Sequence, residues 1–257
     1  MENDNYKVPK LEGTLSDDIN QDFRKVINVL NSSFLASKNE TINELKKMHN
    51  VLYIYRSICN DLFINKKNDQ KIKSLLALNQ HLLICALIFV LKNDDYTAYF
   101  LLRGSLESSI KIVQYGYGSN PTNSFSNNLE QVTKKIKDDF IPSTISVQQK
   151  RFIKSQINNF TQYGRKSLYG SLSDKIHIRE DINVAPSIYL NNFFKTTSLM
   201  NQQLSSLFIT TIEYETVFTM LNAEALKLNR ISYSKIEYFR SEYTNFEYLI
   251  KTVMKLL

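Results

Sequence analysis

The chain has little of what breaks or staples a fold. Six glycines and four prolines punctuate 257 residues, too few turn formers for a succession of short strands, so long regular elements are expected. Two cysteines, Cys59 and Cys85, each sit inside an apolar segment and exclude a disulfide framework and a paired-thiol metal site. Both read as small buried thiols. Three dispersed histidines, His49, His81 and His177, make no recognisable ligand set, so no metal and no cofactor is expected. A Walker glycine loop, a GxGxxG turn and a nucleophile elbow are all absent. The opening MENDNYKVPK lacks the charged start and apolar run of a secretory leader, which makes the cytoplasm the expected compartment. The most apolar stretch, HLLICALIFVLK at 81–92, is about half the length of a membrane span and reads as a buried core helix, with no membrane partner expected.

What is present is the composition of a soluble globular protein, with 43% hydrophobic and 22% charged residues, rich in Leu, Lys, Glu, Gln and Asn, which suit helices. The net charge of +7 is compatible with an anionic partner such as RNA or DNA. The lysines are spread through every segment with no arginine-rich arm, as on an ordinary solvated surface.

Residues 1–15 read as a loose lead-in and 16–257 as a single all-α domain, a bundle of about eight or nine helices. Ser16 followed by acidic residues marks the first start, with Phe23, Val26, Ile27, Leu30 and Phe34 on one face. Thr41 and Glu44 form a capping box for the second helix, and Ser146 and Gln149 another near 146–163. Asn93, Asp94 and Asp95 close a third helix and open a fourth, predicting an antiparallel hairpin. The Gly-, Ser- and Asn-rich segment 116–128 is the clearest loop and the one candidate seam. Beyond Pro186 the pattern is helical to about Asn229, and a last helix opens at Ser232 or Ser234. The 15 tyrosines and 15 phenylalanines, with no tryptophan, crowd the C-terminal third, where they serve packing or an exposed interface.

In AYFLLRGSLESSIKIV the i, i+4 pair Arg103 and Glu107 lies beside the apolar face of Leu102, Leu106, Ile110 and Val113. Gly104 and Ser105 would let another element come close. A partly buried ion pair of this kind calls for further hydrogen-bond partners. LYGSLSDKIHI, at 168–178, offers Tyr169, Ser173, Asp174 and His177; a helical turn opening at Ser173 would set Ser173 and His177 four apart. Two readings stand side by side: a polar clamp tying this loop to the Arg103 helix, and a site in which His177 transfers protons while Arg103 holds a phosphate. His49 is read on a solvent side and His81 at a core boundary, while DDF near 138 and EYET near 213 are read as solvated helix faces.

The two segments, with the spacing LxRxxxE and later YxxLSxxxH, resemble a helical bacterial family related to the HEPN superfamily. The resemblance covers only these motifs and marks Arg103, Glu107, Tyr169, Ser173 and His177; with Asp174 added from the same turn, the expected site takes Arg103, Glu107 and His177 as catalytic and Tyr169, Ser173 and Asp174 as substrate-binding. It implies a helical, dimeric, metal-independent ribonuclease of toxin and antiphage (abortive-infection) systems, with RNA and a protein of the same operon as partners. The usual nuclease motif of those proteins sets an Arg a short spacing before a His on one helix. No Arg stands at that spacing before His49, His81 or His177. The non-catalytic alternative is a helical interaction protein in which the Arg, Glu and His cluster is structural. Gene regulation through DNA ranks below both, for want of a short helix-turn-helix.

Overall fold

The computed structural model describes residues 14–31, 39–63, 69–139, 141, 144–177, 201–223, 232–243, 245–249 and 251. Among them the chain is an all-α multi-helix bundle: α1 (Leu15–Asn31), α2 (Asn39–Phe63), α3 (Gln70–Leu91), α4 (Asp95–Gly116), α5 (Phe125–Asp139), α6 (Val147–Gln162), a π-helical segment (Tyr163–Gly170), α7 (Ser171–His177), α8 (Gln202–Leu221) and α9 (Tyr233–Glu242). The expected helical stretch after Pro186 is seen only from residue 201; its earlier part lies outside the described residues.

Local chemistry sets most of the boundaries. Asp69 caps α3 by accepting from the Lys71 and Ile72 amides, and Asp94 caps α4 by accepting from Thr97. The reciprocal box at Ser146 and Gln149 opens α6 as expected. Between α3 and α4 the chain reverses through Asn93 at φ 53°, a left-handed position that Asn tolerates better than most residues. Asn201 caps α8 and also donates its backbone N–H to Asn93 Oδ1 at 2.9 Å, tying the start of α8 to that turn.

Two expected starts shift. Thr14, not Ser16, caps α1, exchanging hydrogen bonds with Asp17. Thr41 is buried inside α2 instead of capping it, because that helix already runs from Asn39.

The α3–α4 hairpin closes tightly where Gly104 faces Leu82: a Cβ there would sit 3.3 Å from Leu82 Cδ1. α8 packs chiefly on α2 and also on α3 and α4, and from Thr211 to Leu221 every residue is buried. Glu213 and Glu215 are therefore interior groups, which corrects their reading as a solvated face. Glu215 is 0% exposed and its carboxylate accepts from Ser105 Oγ at 2.6 Å and Asn79 Nδ2 at 2.9 Å. Asn79 in turn accepts from the buried Tyr55 hydroxyl at 2.8 Å. Four helices thus meet in one polar knot, α2, α3, α4 and α8. Burial pushes the Glu215 carboxyl up to about 7, with the Ser105, Asn79 and Tyr55 hydrogen bonds opposing the shift, and pushes the neighbouring Cys59 thiol up to about 12. On the other side of α8, Glu213 accepts from Asn245.

The buried-helix reading of 81–92 holds on one side only. Leu83, Ala86, Leu87, Val90 and Leu91 are interior, but α3 carries an 18-residue window of mean hydropathy 2.1 that is 33% buried. By length and composition alone that helix could cross a membrane. Its outer side shows Leu78, Ile84 and Ile88, and Phe100 of α4 is 59% exposed. His81 is on this exposed side and Cys85 is half-buried. His49 moves the other way. It is buried, with Nε2 2.8 Å from Asp22 Oδ2, and joins α2 to α1, holding the Asp22 carboxyl below its usual range through that hydrogen bond.

The stretch at 168–178, expected to interrupt the helical pattern, is helical through His177: α6 runs without a break into the π-helical segment and on into α7. Gly164 permits this. A Cβ at that position would lie 2.1 Å from the Tyr214 hydroxyl and 2.3 Å from its ring, so the segment can press against α8 only with hydrogen there. Tyr214 is stacked on Phe160 at 4.3 Å between centroids, and its buried hydroxyl has no hydrogen-bond partner.

Two outcomes follow for stability. The Glu215 carboxyl, raised in the folded state, holds its proton above pH 4.5 while the unfolded chain loses it, so stability falls as pH rises from about 4.5 toward 7, by about 3 kcal/mol in all. Glu215→Gln should flatten that slope in denaturant melts at pH 5 and pH 8. Gly164→Ala should cost about 1–3 kcal/mol or more by overpacking, read as a lowered Tm by circular dichroism.

Candidate functional site

α4 presents Asp95, Tyr99, Arg103 and Glu107 at four-residue intervals, one row along a helix face. Against this row lie the π-helical segment and α7, running antiparallel: Tyr169 meets Arg103 and Glu107, while Lys175 donates to the Tyr99 hydroxyl at 3.0 Å and sits 4.6 Å from the centre of its ring.

Arg103, Glu107 and Tyr169 close into a triangle. Arg103 Nε is 3.3 Å from Glu107 Oε1 and donates to the Tyr169 oxygen at 3.1 Å; the Tyr169 hydroxyl donates to the same Glu107 oxygen at 2.8 Å. The phenol is held above its usual range by burial first and by the Glu107 carboxylate second, so it stays a donor and does not act as a base. Phe125, the first residue of α5, stacks on the Tyr169 ring at 3.7 Å and 5°, fixing the plane on which the guanidinium carbon rests 4.9 Å from the centroid. The side chains of Arg103 and Glu107 are 29% and 33% exposed, so the pair adds well under ~1 kcal/mol to stability.

All of Arg103's bonds run through Nε. Its two Nη groups have no protein partner among the described residues, which leaves the donors of the fork free for a ligand. That is the geometry that grips a phosphate or carboxylate bidentately.

The expected site residues therefore separate. Arg103, Glu107 and Tyr169 are brought together. Asp174 is exposed and joins no hydrogen bond or ion pair with them. The Ser173 hydroxyl is buried with no hydrogen-bond partner, one turn beyond Tyr169. His177 is the last residue of α7, and its side chain lies outside the described residues. The antiparallel register carries α7 away from Arg103 toward the start of α4, so the backbone of His177 lies beyond the Tyr99–Lys175 contact.

The buried Glu215 knot escaped the sequence reading, although α8 carried a signal. Glu213 and Glu215 are the sole charges in twenty residues, on a helix otherwise apolar and uncharged all round, which is the pattern of a buried helix. Among the described residues no group of three or more His, Cys, Asp and Glu is placed to hold a metal. No protein-family model, no curated protein and no solved structure matches the chain.

Proposed function

We propose that this protein is a HEPN-like, RNA-binding helical protein of a bacterial defence or stress module, working in the cytoplasm without a metal, with Arg103 as its phosphate ligand. One observation carries the reading: Glu107 and Tyr169 engage the Arg103 guanidinium through Nε, and neither Nη group has a hydrogen-bond partner among the described residues. A guanidinium oriented in advance loses less freedom on gripping phosphate, and that is where its affinity comes from.

For cleavage the proposal assigns proton transfer to His177, since Tyr169 is kept protonated; the backbone of His177 lies beyond the Tyr99–Lys175 contact, so the scissile phosphate is a different one from that held by Arg103. Self-association has its natural surface on α3, where Leu78, His81, Cys85 and Ile88 follow the three-and-four spacing of a helix seam beside the exposed Ile84. A second copy laid antiparallel on that seam would bury it.

A second reading has its own support. The triangle already satisfies Nε, the phenol and one carboxylate oxygen, as a clamp between α4 and the π-helical segment would. The two diverge on Arg103→Ala. Under RNA binding, the variant melts within about 1 kcal/mol of wild type and binds a labelled single-stranded RNA about tenfold more weakly, the loss expected for a charged hydrogen bond. Wild-type protein that binds no RNA, with an Arg103→Ala variant of lowered Tm, would leave the clamp as the role of this cluster. In EDTA the cleavage assignment predicts that wild type cuts the RNA and that His177→Ala stops cutting at unchanged Tm. RNA left intact by wild type overturns the cleavage assignment and leaves binding standing.

A further inference from the structure

α5 and α6 lie antiparallel from the Phe125–Tyr169 stack onward, joined midway by the Thr133 and Thr161 hydroxyls at 3.0 Å. Between them is an open groove of about 660 Å³, reaching from Ser126 and Arg165 at one end to Asp138 and Lys154 at the other. At 1.5 Å per residue the α5 wall is roughly 18 Å long, enough for a single-strand site of about 4 nucleotides.

Its chemistry is one-sided. Lys134, Lys137, Lys154 and Arg165 line it against two carboxylates, Glu130 and Asp138, and none of the four cations forms an ion pair or hydrogen bond among the described residues. Lys135, next in sequence to Lys134, shows the contrast: it is occupied by the Tyr117 carbonyl, the Ser119 hydroxyl and the Tyr117 ring. Between the cations the walls are amides and hydroxyls, and Leu129 is the one apolar side chain. Such a surface does not attract an apolar ligand. It offers charge for successive phosphates and paired donors and acceptors for base edges and 2′-hydroxyls.

We infer that the α5–α6 groove is a track for single-stranded RNA, with Lys134, Lys137, Lys154 and Arg165 taking backbone phosphates and Asn127, Gln131, Asn158 and Gln162 meeting the bases. This rests on the RNA-binding reading and says where the strand lies. Arg165 is one turn of the π-helical segment before Tyr169, so a strand leaving that end of the groove passes the Tyr169 ring and comes to Arg103.

The test is fluorescence anisotropy of the full chain with a 5′-labelled, unstructured 20-nucleotide RNA and with the corresponding duplex. A variant combining Lys134→Gln, Lys137→Gln, Lys154→Gln and Arg165→Gln is set beside a charge-matched control, Arg24→Gln, Lys25→Gln, Lys46→Gln and Lys73→Gln, which removes exposed cations from α1 to α3. Melting curves first establish that both fold. The groove variant should bind the single strand at least about tenfold more weakly, and the slope of log affinity against log salt should fall by about 2 to 3, near 0.7 per phosphate contact. The control should retain its slope and lose less than about threefold. Equal losses in the two variants, or tighter binding of the duplex than of the single strand by wild type, would overturn the track. Arg103→Ala separates the two proposals. A weakened Arg103→Ala beside an unaffected groove variant refutes the groove and supports the phosphate ligand; the opposite pattern supports the groove and refutes Arg103. Wild type that fails to bind the RNA refutes both.

Discussion

The carboxylate of Glu215, sealed among four helices, constrains everything that lies outside it. A buried carboxyl is tolerated only where hydrogen-bond partners surround it, and here they are Ser105 of α4 and Asn79 of α3. Ser105 must therefore face inward. At 100° per residue, positions two before and two after an inward residue fall about 160° away from it. Arg103 and Glu107 occupy those positions, so the knot that holds α8 in register also turns the Arg103 face outward, where the π-helical segment meets it. Site and core are two sides of one helix, and the polar bond inside sets the direction of the charged fork outside.

What could be read from sequence was what is local. Caps at Asp94 and Ser146, the α3–α4 reversal and the four-residue spacing of Arg103 and Glu107 depend on neighbours within a turn or two, and these match the structure. The approach of Tyr169 to that pair was legible because an ion pair beside an apolar stripe calls for a third partner. Apart from the two helix starts at Ser16 and Thr41, which shift by a few residues, the misreadings concern groups whose partners are distant in sequence. Nothing near His49 announces Asp22 on another helix, and nothing near Glu215 announces Asn79, 136 residues away. The helical course of 168–177 was hidden for a related reason. Its glycines and serines favour loops in isolation, yet packing at Gly164 against Tyr214 overrides that preference.

Charge distribution shows the same division between chain and fold. Along the sequence the lysines look evenly scattered, and the excess of +7 reads as a solvated surface. Folding sorts them by what they meet. Lys235 is held by Asp61 at 2.7 Å, Lys175 rests on Tyr99 and Lys135 on Tyr117, so their fields are answered by carboxylate or ring. Lys134, Lys137, Lys154 and Arg165 form no ion pair among the described residues and outnumber the two carboxylates beside them, Glu130 and Asp138, and antiparallel packing of two helices collects them along one groove. Unanswered charge in a concave surface raises the local concentration of counter-ions more than the same charge on a convex one.

The Phe125–Tyr169 stack joins these two surfaces. Phe125 begins α5, which forms one wall of the groove, and Tyr169 holds the Nε of Arg103. Rings 3.7 Å apart and nearly parallel leave no room for one to rotate without the other, because packed interiors shift between discrete arrangements and do not deform continuously. A ligand that displaced the α5 wall would therefore displace the Tyr169 hydroxyl, and with it the hydrogen bond that fixes the guanidinium plane. Groove and fork meet at this aromatic contact, and α5 is also tied to α4 by Gln114, which donates to Asn128 and to the groove-lining Gln131.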